Sequence, residues 1–216
     1  MKKIYKVIVR ILKAIDRSSG YKLGSFIRKK TNVNTIDFWN ETWTKKEGDE
    51  DFRYNYFLEF LPKARVFSLL DIGCASGEGC VLIKKHFPKA EITGIDFSSV
   101  AINMANEKKS DINFIRMDIL KESPTQKYDY ITIIHTLEHF NDPFQVVNKC
   151  LNFVNEALII EAPYTEKFDV PYLYRKGQHR YLFNEKTFEK YKCKVLKITE
   201  YIESAKYRYI VYQIEP

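Results

Sequence analysis

Between residues 66 and 162 the sequence alternates short runs rich in β-branched residues with longer stretches of mixed polarity. The short runs lack a strict alternation of apolar and polar residues, which is typical of parallel strands that are covered on both faces. This order predicts an α/β fold with an open, doubly wound sheet. The predicted strands are 66–72, 91–97, 112–118, 128–135 and 157–162, and the predicted helices are 78–87, 98–109 and 143–154.

The C-terminal end follows a different pattern. Residues 193–202 and 206–215 are two long runs of strand-forming residues joined by a short turn at 203–206. They predict an antiparallel hairpin, which completes a sheet of seven strands whose last strand is antiparallel. A chain of 216 residues can bury one sizeable core. We therefore expect an N-terminal helical extension over 1–50 and a single domain over 51–216.

The net charge of +7 belongs to the N-terminal arm. Residues 1–30 carry ten lysines and arginines and one acid, whereas the remainder carries 25 basic and 27 acidic residues. A nearly neutral remainder gives no reason to expect a nucleic-acid groove. Isoleucines at helical spacing beside a basic stripe make residues 1–18 an amphipathic helix. We expect it to contact an anionic membrane surface or, as the alternative, its own domain or a second subunit.

Two further features indicate a cytoplasmic protein. The longest apolar run of the arm, 7–9, is too short for a signal-peptide core or a membrane span. The cysteines are far apart and form no C-x-x-C pair, so they predict neither a disulfide framework nor a zinc knuckle. We expect a cytoplasmic location, with the arm as a peripheral contact at the inner face of the membrane.

A loop of small residues follows the first predicted strand, in the stretch LLDIGCASGEG at 69–79. Gly73, Ala75, Gly77 and Gly79 come between Asp71 and the next helix, so a ligand can approach the main chain at the carboxyl edge of the sheet. No Lys-Ser or Lys-Thr follows, which argues against a phosphate-binding P-loop. The spacing G-x-x-x-G-x-G also differs from the dinucleotide pattern G-x-G-x-x-G, and a nicotinamide cofactor is left as an alternative.

Acids also end the next two predicted strands, at Asp96 and Asp118. The carboxyl ends of adjacent parallel strands share one edge, so these two residues and Asp71 outline a single ligand. Asp96 can accept both hydroxyls of an adenosine ribose, and Asp118 can accept from an adenine amino group. For Asp118 a helix cap or a solvated turn is an equal alternative.

Taken together, these motifs resemble the class I S-adenosylmethionine-dependent methyltransferases of the small-molecule type. LLDIGCASGEG, ITGIDFS, INFIRMDI and YDYITIIHTLEHFNDP are similar to that family's first four motifs, and the resemblance covers about residues 50–216. It implies a Rossmann-like fold and S-adenosylmethionine as cofactor. Ala75 stands where a third glycine is usual, and a methyl group is tolerated there if its φ is negative.

The resemblance also implies a position for each part of the cofactor. The methionine moiety would lie on the glycine loop, the ribose at the second strand end and the adenine at the third. The implied cofactor-binding residues are Asp71, Gly73, Cys74, Ala75, Gly77, Asp96, Phe97, Asp118, Ile119 and His135.

The stretch HTLEH places His135, Glu138 and His139 after the fourth predicted strand. It matches the H-x-x-E-H pattern of a zinc peptidase group, but that chemistry needs a helix, and a strand runs into His135 while Pro143 follows closely. Some ubiquinone-pathway O-methyltransferases are similar, with an E-x-x-E-H version that holds a divalent metal. As the alternative, His135 lines the cofactor and Glu138 and His139 secure the loop. We assign no metal.

Transfer of a methyl group to a hydroxyl requires alignment and removal of a proton. The candidate bases are His135, His139 and His179, since a neutral imidazole accepts a proton near pH 7. The aromatic and basic stretch 163–183 predicts an acceptor lid, or else ordinary packing of a long connection. Its candidate substrate-binding residues are Tyr164, Tyr172, Arg175 and Arg180.

The predicted function is therefore O-methylation of a small-molecule acceptor such as a sugar or a surface-glycan precursor. Two other functions are weighed against it. A nicotinamide-dependent oxidoreductase is disfavoured by the glycine spacing and by the terminal hairpin. A non-catalytic binding module would keep the cofactor fold without turnover.

Overall fold

The computed structural model describes residues 34–45, 57–63, 66–108, 111–164, 178–199 and 208–216. The predictions for the arm at 1–18, for the hairpin turn at 203–206 and for Tyr172 and Arg175 lie outside these ranges. None of the helices in the described ranges is long and apolar enough to cross a membrane.

Seven strands form one sheet in the order β3-β2-β1-β4-β5-β7-β6. The first five strands are parallel neighbours, and β7 runs antiparallel to both β5 and β6. The doubly wound sheet and the antiparallel last strand are thus confirmed. The strands are β1 Ser68–Ile72, β2 Glu91–Asp96, β3 Asn113–Arg116, β4 Tyr128–Ile134, β5 Val154–Tyr164, β6 Cys193–Ile198 and β7 Arg208–Ile214.

Four α-helices lie in the described ranges, and three of them fall in the predicted βα order. They are α1 Ile36–Thr44, α2 Glu78–His86, α3 Ser99–Glu107 and α4 Pro143–Leu151, with short 3₁₀ turns at Leu58–Phe60 and Leu137–His139. The first of these turns, at Leu58–Phe60, comes shortly before Pro62.

Both faces of the sheet are buried, which explains the missing alternation in the strand sequences. Leu69 and Leu70 are neighbours in β1, yet they belong to two different apolar clusters. Successive side chains of a strand point to opposite faces. The two clusters therefore lie on the two sides of the sheet. Side chains on either face of β1 are buried.

The residue that caps the start of α1 is Thr35 and not the acidic Asp37. The hydroxyl of Thr35 accepts the backbone N–H of Phe38 at 3.2 Å, which makes Thr35 the N-cap. Asp37 lies in the first turn, where a negative charge interacts favourably with the helix dipole. A helix leaves its first four backbone N–H groups without partners, and an N-cap side chain accepts one of them. The threonine two residues before Asp37 does this.

The strand order reverses direction at β1, since β2 and β3 lie on one side of it and β4 and β5 on the other. In open α/β sheets the crevice at such a point, outside the carboxyl ends of the strands, is the usual ligand site. The glycine loop after β1 and the HTLEH stretch after β4 both emerge at this crevice.

Candidate active site

The loop between β1 and α2 needs glycine for reasons within the protein itself. Gly73 and Gly77 have φ values of +78° and +86°, which L-residues with side chains rarely adopt. A Cβ on Gly73 would lie 2.3 Å from Oγ1 of Thr136, and one on Gly77 would lie 2.7 Å from Cζ of Phe114. The loop therefore packs tightly against the residue that follows His135, at the end of β4.

Ala75 has a φ of +55°, contrary to the negative φ under which its methyl group would be tolerated without cost. A left-handed conformation costs an L-residue about 1–2 kcal/mol. A glycine there avoids that cost but loses more backbone entropy on folding.

We expect Ala75→Gly to raise the free energy of unfolding by up to about 1 kcal/mol, the balance of these two effects. Urea unfolding would measure the change. The matched control is Ala101→Gly within α3 (Ser99–Glu107), where glycine lowers the free energy of unfolding by about 1 kcal/mol. An equal loss of stability in both variants would contradict the strain at Ala75.

Asp71 is buried next to this loop. Its carboxylate accepts hydrogen bonds from the hydroxyl of Thr132, at 2.8 Å, and from the thiol of Cys80, at 3.3 Å. Burial raises the pKa of Asp71 to about 6, although both hydrogen bonds act in the opposite direction. The side chain thus ties the end of β1 to β4 and α2.

Asp96 connects the end of β2 to the same loop. One carboxylate oxygen accepts the backbone N–H of Ala75 at 3.1 Å, and the other accepts that of Ser98 at 2.8 Å. Burial raises the pKa of Asp96 to about 6, and the backbone donors offset part of this effect. Phe97, between Asp96 and Ser98 in the chain, is half-buried.

Asp118 follows β3, which pairs with β2, so it shares one edge of the sheet with Asp71 and Asp96 at the ends of β1 and β2. Its carboxylate accepts the backbone N–H of Leu120 at 3.1 Å and pairs with Lys121 at 2.9 Å. These contacts are those of a turn, as the alternative interpretation expects. Ile119 is buried in an apolar cluster. The adenine contacts of both residues stay predictions.

Helix α1 (Ile36–Thr44) covers this edge of the sheet. Asn40 accepts a hydrogen bond from the hydroxyl of Ser98, at 2.7 Å, just beyond Asp96. Trp39 packs edge-on against the ring of His139, with 5.0 Å between the ring centroids. Neighbouring residues of this helix thus contact the loop after β2 and the stretch after β4.

His135 lies between two buried carboxylates. Its Nε2 donates to Glu161 at 2.9 Å, and its Nδ1 is 3.8 Å from Glu138. Burial opposes protonation, but the hydrogen bonds to Glu138 and Glu161 raise the pKa of His135 to about 9. The pKa of Glu138 falls to about 2, since its interactions with the nearby histidines outweigh burial. His135 is therefore an imidazolium at neutral pH, and its backbone is left-handed, with a φ of +49°.

The other two candidate bases meet at Glu138. Ligand atoms of Glu138, His139 and His179 all lie within 4.8 Å of one another, and the two imidazole rings are 5.3 Å apart in an edge-on arrangement. The stretch Leu137–His139 is a 3₁₀ turn rather than an α-helix, so the zinc peptidase alternative lacks the helix that it requires. His179 comes from a segment forty residues further along the chain.

Two predicted substrate-binding residues lie in the described ranges. Arg180 is almost entirely buried, and its Nε donates to Asn141 at 3.0 Å. The hydroxyl of Tyr164 donates to Glu185, and the guanidinium of Arg208 lies 4.8 Å above its ring. Phe183, from the predicted lid, is fully buried, which agrees with ordinary packing there. Both substrate roles stay predictions.

Three residues of this region were missed by the sequence interpretation. Glu161 is fully buried in β5 and pairs with His135, and a charged residue within the apolar run ALIIEA was the available signal. Asn34 donates from Nδ2 to the backbone carbonyls of His139 and Gln178. Asn34 and Asn40 stand in a polar stretch where nothing local distinguishes them.

The fold and this edge define a class of protein: an open α/β domain whose usual ligand site is the crevice at the switch point of its sheet. Comparison with known proteins narrows the class. Residues 70–156 match the family model described as "Methyltransferase domain". Over these residues the chain is similar to methyltransferase domains.

Two similar proteins are named as methyltransferases. The chain is 30% identical over 105 residues to trans-aconitate 2-methyltransferase of Escherichia coli. The aligned region covers 48% of this chain and 42% of that protein. It is 30% identical over 121 residues to ubiquinone biosynthesis O-methyltransferase of Coxiella burnetii, covering 54% and 51%. The chain thus spans about half the length of these relatives.

The fold has a solved counterpart in magnesium protoporphyrin IX methyltransferase from Synechocystis PCC 6803, with bound SAH. The TM-score is 0.62 at 14% sequence identity, over 89% of this chain and 99% of that one. At this identity the similarity concerns the fold alone.

Proposed function

We propose that the chain is an S-adenosylmethionine-dependent methyltransferase that methylates a hydroxyl group of a small molecule, such as a sugar or a surface-glycan precursor. The observation that carries the proposal is the tie between Asp96 and the glycine loop at the switch point. One carboxylate holds both the loop and the end of β2, while buried Asp71 lies on the next strand. An acid at the end of β2 beside a loop of small residues at the switch point supports the binding of an adenosyl ligand there.

The carboxylate of Asp96 has capacity left for a ligand. Each of its oxygens accepts one backbone N–H, and an ionised carboxylate offers about four lone-pair sites. The remaining lone pairs suit the two hydroxyls of a ribose, which donate side by side. Asp71, Gly73, Cys74, Ala75 and Gly77 would hold the methionine moiety in the same proposal.

The bound cofactor would supply an electrophilic methyl group with an excellent leaving group. The protein then has to orient the acceptor and handle its proton. His135 is poorly suited to accept that proton, because its imidazolium is held between Glu138 and Glu161. His139 and His179 are better placed candidates. A neutral imidazole takes a proton directly, or it holds a cation that makes the hydroxyl more acidic.

The acceptor is proposed only by its chemistry. By their names, the proteins above methylate trans-aconitate, act in ubiquinone biosynthesis, and methylate magnesium protoporphyrin IX. Two histidines and a carboxylate beside the glycine loop suit a hydroxyl acceptor, since a hydroxyl has to lose a proton. Arg180, whose backbone N–H donates to the carbonyl of Glu138, and Tyr164, at the end of β5, are retained as proposed acceptor contacts, with Tyr172 and Arg175 from outside the described ranges.

Calorimetry with S-adenosylhomocysteine and with NADH tests the cofactor. We expect S-adenosylhomocysteine to bind one site with a Kd on the order of micromolar, a typical strength for a small ligand, and NADH to give no heat of binding. Binding of NADH alone would overturn the proposal in favour of an oxidoreductase. Binding of the methyl donor with no transfer to any of a panel of hydroxyl compounds would favour a non-catalytic module.

A further inference from the structure

The cluster of Glu138, His139 and His179 combines three donor atoms that suit a metal ion. A carboxylate oxygen and two imidazole nitrogens lie within 4.8 Å of one another. Zinc binds such atoms at about 2.0–2.2 Å, and small rotations of the side chains bring atoms at this spacing into contact with one ion. Two histidines and one glutamate are also the protein ligands of several catalytic zinc sites.

A second observation comes from the carboxylate itself. Glu138 is 2% exposed, and its Oε2 has no hydrogen-bond partner among the described residues. A buried carboxylate oxygen without a hydrogen-bond donor lowers the stability of the folded state, and such oxygens are rare in proteins. A cation next to Oε2 would remove that cost. His135 lies on the other side of the same carboxylate, 3.8 Å from Oε1.

The orientation of His139 is also that of a metal ligand. Its Nδ1 lies 3.0 Å from the backbone carbonyl of Gln178, so Nδ1 carries the proton and Nε2 keeps a free lone pair. Asn34 donates to that same carbonyl at 2.8 Å and holds it in place. Histidines that ligate metals usually donate their second ring N–H to a carbonyl or carboxylate, which fixes the ring.

The cluster is next to the proposed cofactor loop. Thr136, two residues before Glu138, packs so closely on Gly73 that a Cβ there would meet its hydroxyl. Trp39 covers His139 from the side of α1 (Ile36–Thr44). An ion held by the cluster would therefore lie close to the methionine end of a bound cofactor, where the acceptor has to be.

We propose that Glu138, His139 and His179 bind one divalent transition-metal ion, with Zn²⁺ as the best match to the donor set, and that its open coordination position takes the acceptor hydroxyl. The second half rests on the proposed function, and the first half does not. Imidazole ligands favour zinc, iron or nickel over magnesium. His135, which the H-x-x-E-H pattern pairs with His139, is instead bound to Glu161 and is not a ligand.

The chemistry balances without any further reactant. A bound divalent ion lowers the pKa of the hydroxyl, whose proton leaves to solvent. The hydroxyl oxygen then forms a bond to the methyl carbon as the carbon–sulfur bond breaks, and sulfur keeps the electron pair. The sulfonium becomes a neutral thioether, and nothing is oxidised or reduced.

The test measures metal binding directly on the full, untagged chain after removal of metal with a chelator. Equilibrium dialysis against Zn²⁺, and visible absorption with Co²⁺ as a spectroscopic substitute, report stoichiometry and ligand type. We expect one equivalent per chain and a loss of affinity of about tenfold or more in Glu138→Gln, His139→Gln and His179→Gln, the loss seen when metal-site residues are changed. His86→Gln is the matched control, since His86 is exposed on α2 (Glu78–His86).

The outcomes separate this inference from the proposed function. Less than one equivalent in the wild-type chain overturns the metal site, and so does an equal loss of affinity in His86→Gln. S-Adenosylhomocysteine binding is measured on the same samples. If it persists without metal binding, the methyltransferase proposal stands alone. If metal binds and S-adenosylhomocysteine does not, the metal site stands and the proposed function fails.

Discussion

Asp96→Ala is expected to weaken the binding of S-adenosylhomocysteine at least about 100-fold, since two hydrogen bonds to a charged carboxylate contribute about 1.5–3 kcal/mol each. The substitution also frees the backbone N–H of Ala75, which Asp96 holds at 3.1 Å, so the glycine loop loses its tie to β2. Calorimetry on the purified variant measures the loss.

Asp111→Ala is the matched control, because Asp111 is an exposed aspartate whose only described ion pair is with Lys84. We expect its affinity to equal that of the wild-type chain. Far-UV circular dichroism establishes that Asp96→Ala is folded. An affinity within threefold of wild type in a folded Asp96→Ala variant would contradict the assignment of the cofactor site.

The same carboxylate makes binding depend on pH. Burial raises the pKa of Asp96 to about 6, and the ribose hydroxyls donate to the ionised form, so affinity should fall as the pH drops below 6. The effect on stability has the opposite sign. A raised folded-state pKa contributes stability that is present below the unfolded value of 3.8 and is lost as the pH rises through about 6. The Asp96→Ala variant should lack the contribution of this carboxylate to both the pH dependence of affinity and the pH dependence of stability.

The second large effect is expected at His135. His135→Ala removes the charge that lies between Glu138 and Glu161 and leaves two buried carboxylates without it. Breaking a buried ion pair by removing one partner costs about 3–5 kcal/mol. We expect the free energy of unfolding, measured with urea, to fall by that amount at pH 7.

A double-mutant cycle distinguishes the pair from a loss of packing. Glu161→Gln in the His135→Ala background removes one of the stranded charges, so the double variant should recover at least about 1 kcal/mol. His86→Ala, at an exposed position, should change stability by less than about 0.5 kcal/mol. A His135→Ala variant within 1 kcal/mol of wild type would show that the imidazolium does not stabilise the fold.

The glycine loop shows how far a local pattern reaches. The positions of Gly73 and Gly77 were predicted from the residues between a strand and a helix, and both adopt the positive φ that such a turn demands. What occupies the space next to Gly73 was not predicted. Thr136 does so, and it follows a strand that comes sixty residues later in the chain. A methyl group at residue 75 was interpreted as tolerated under a negative φ, and the φ of Ala75 is positive.

Local sequence was enough to define the order of strands and helices, the antiparallel hairpin formed by β6 (Cys193–Ile198) and β7 (Arg208–Ile214), and the acids at the strand ends. Hydrophobic periodicity and turn chemistry act over a few residues, and parallel neighbours bring their carboxyl ends to one edge. The pairing of His135 with Glu161 and the meeting of His179 with Glu138 depend instead on strand register and side-chain packing between distant segments. Those contacts exist only once the sheet is assembled. They distinguish His135, a buried imidazolium paired with Glu161, from His139 and His179, which lie side by side at Glu138.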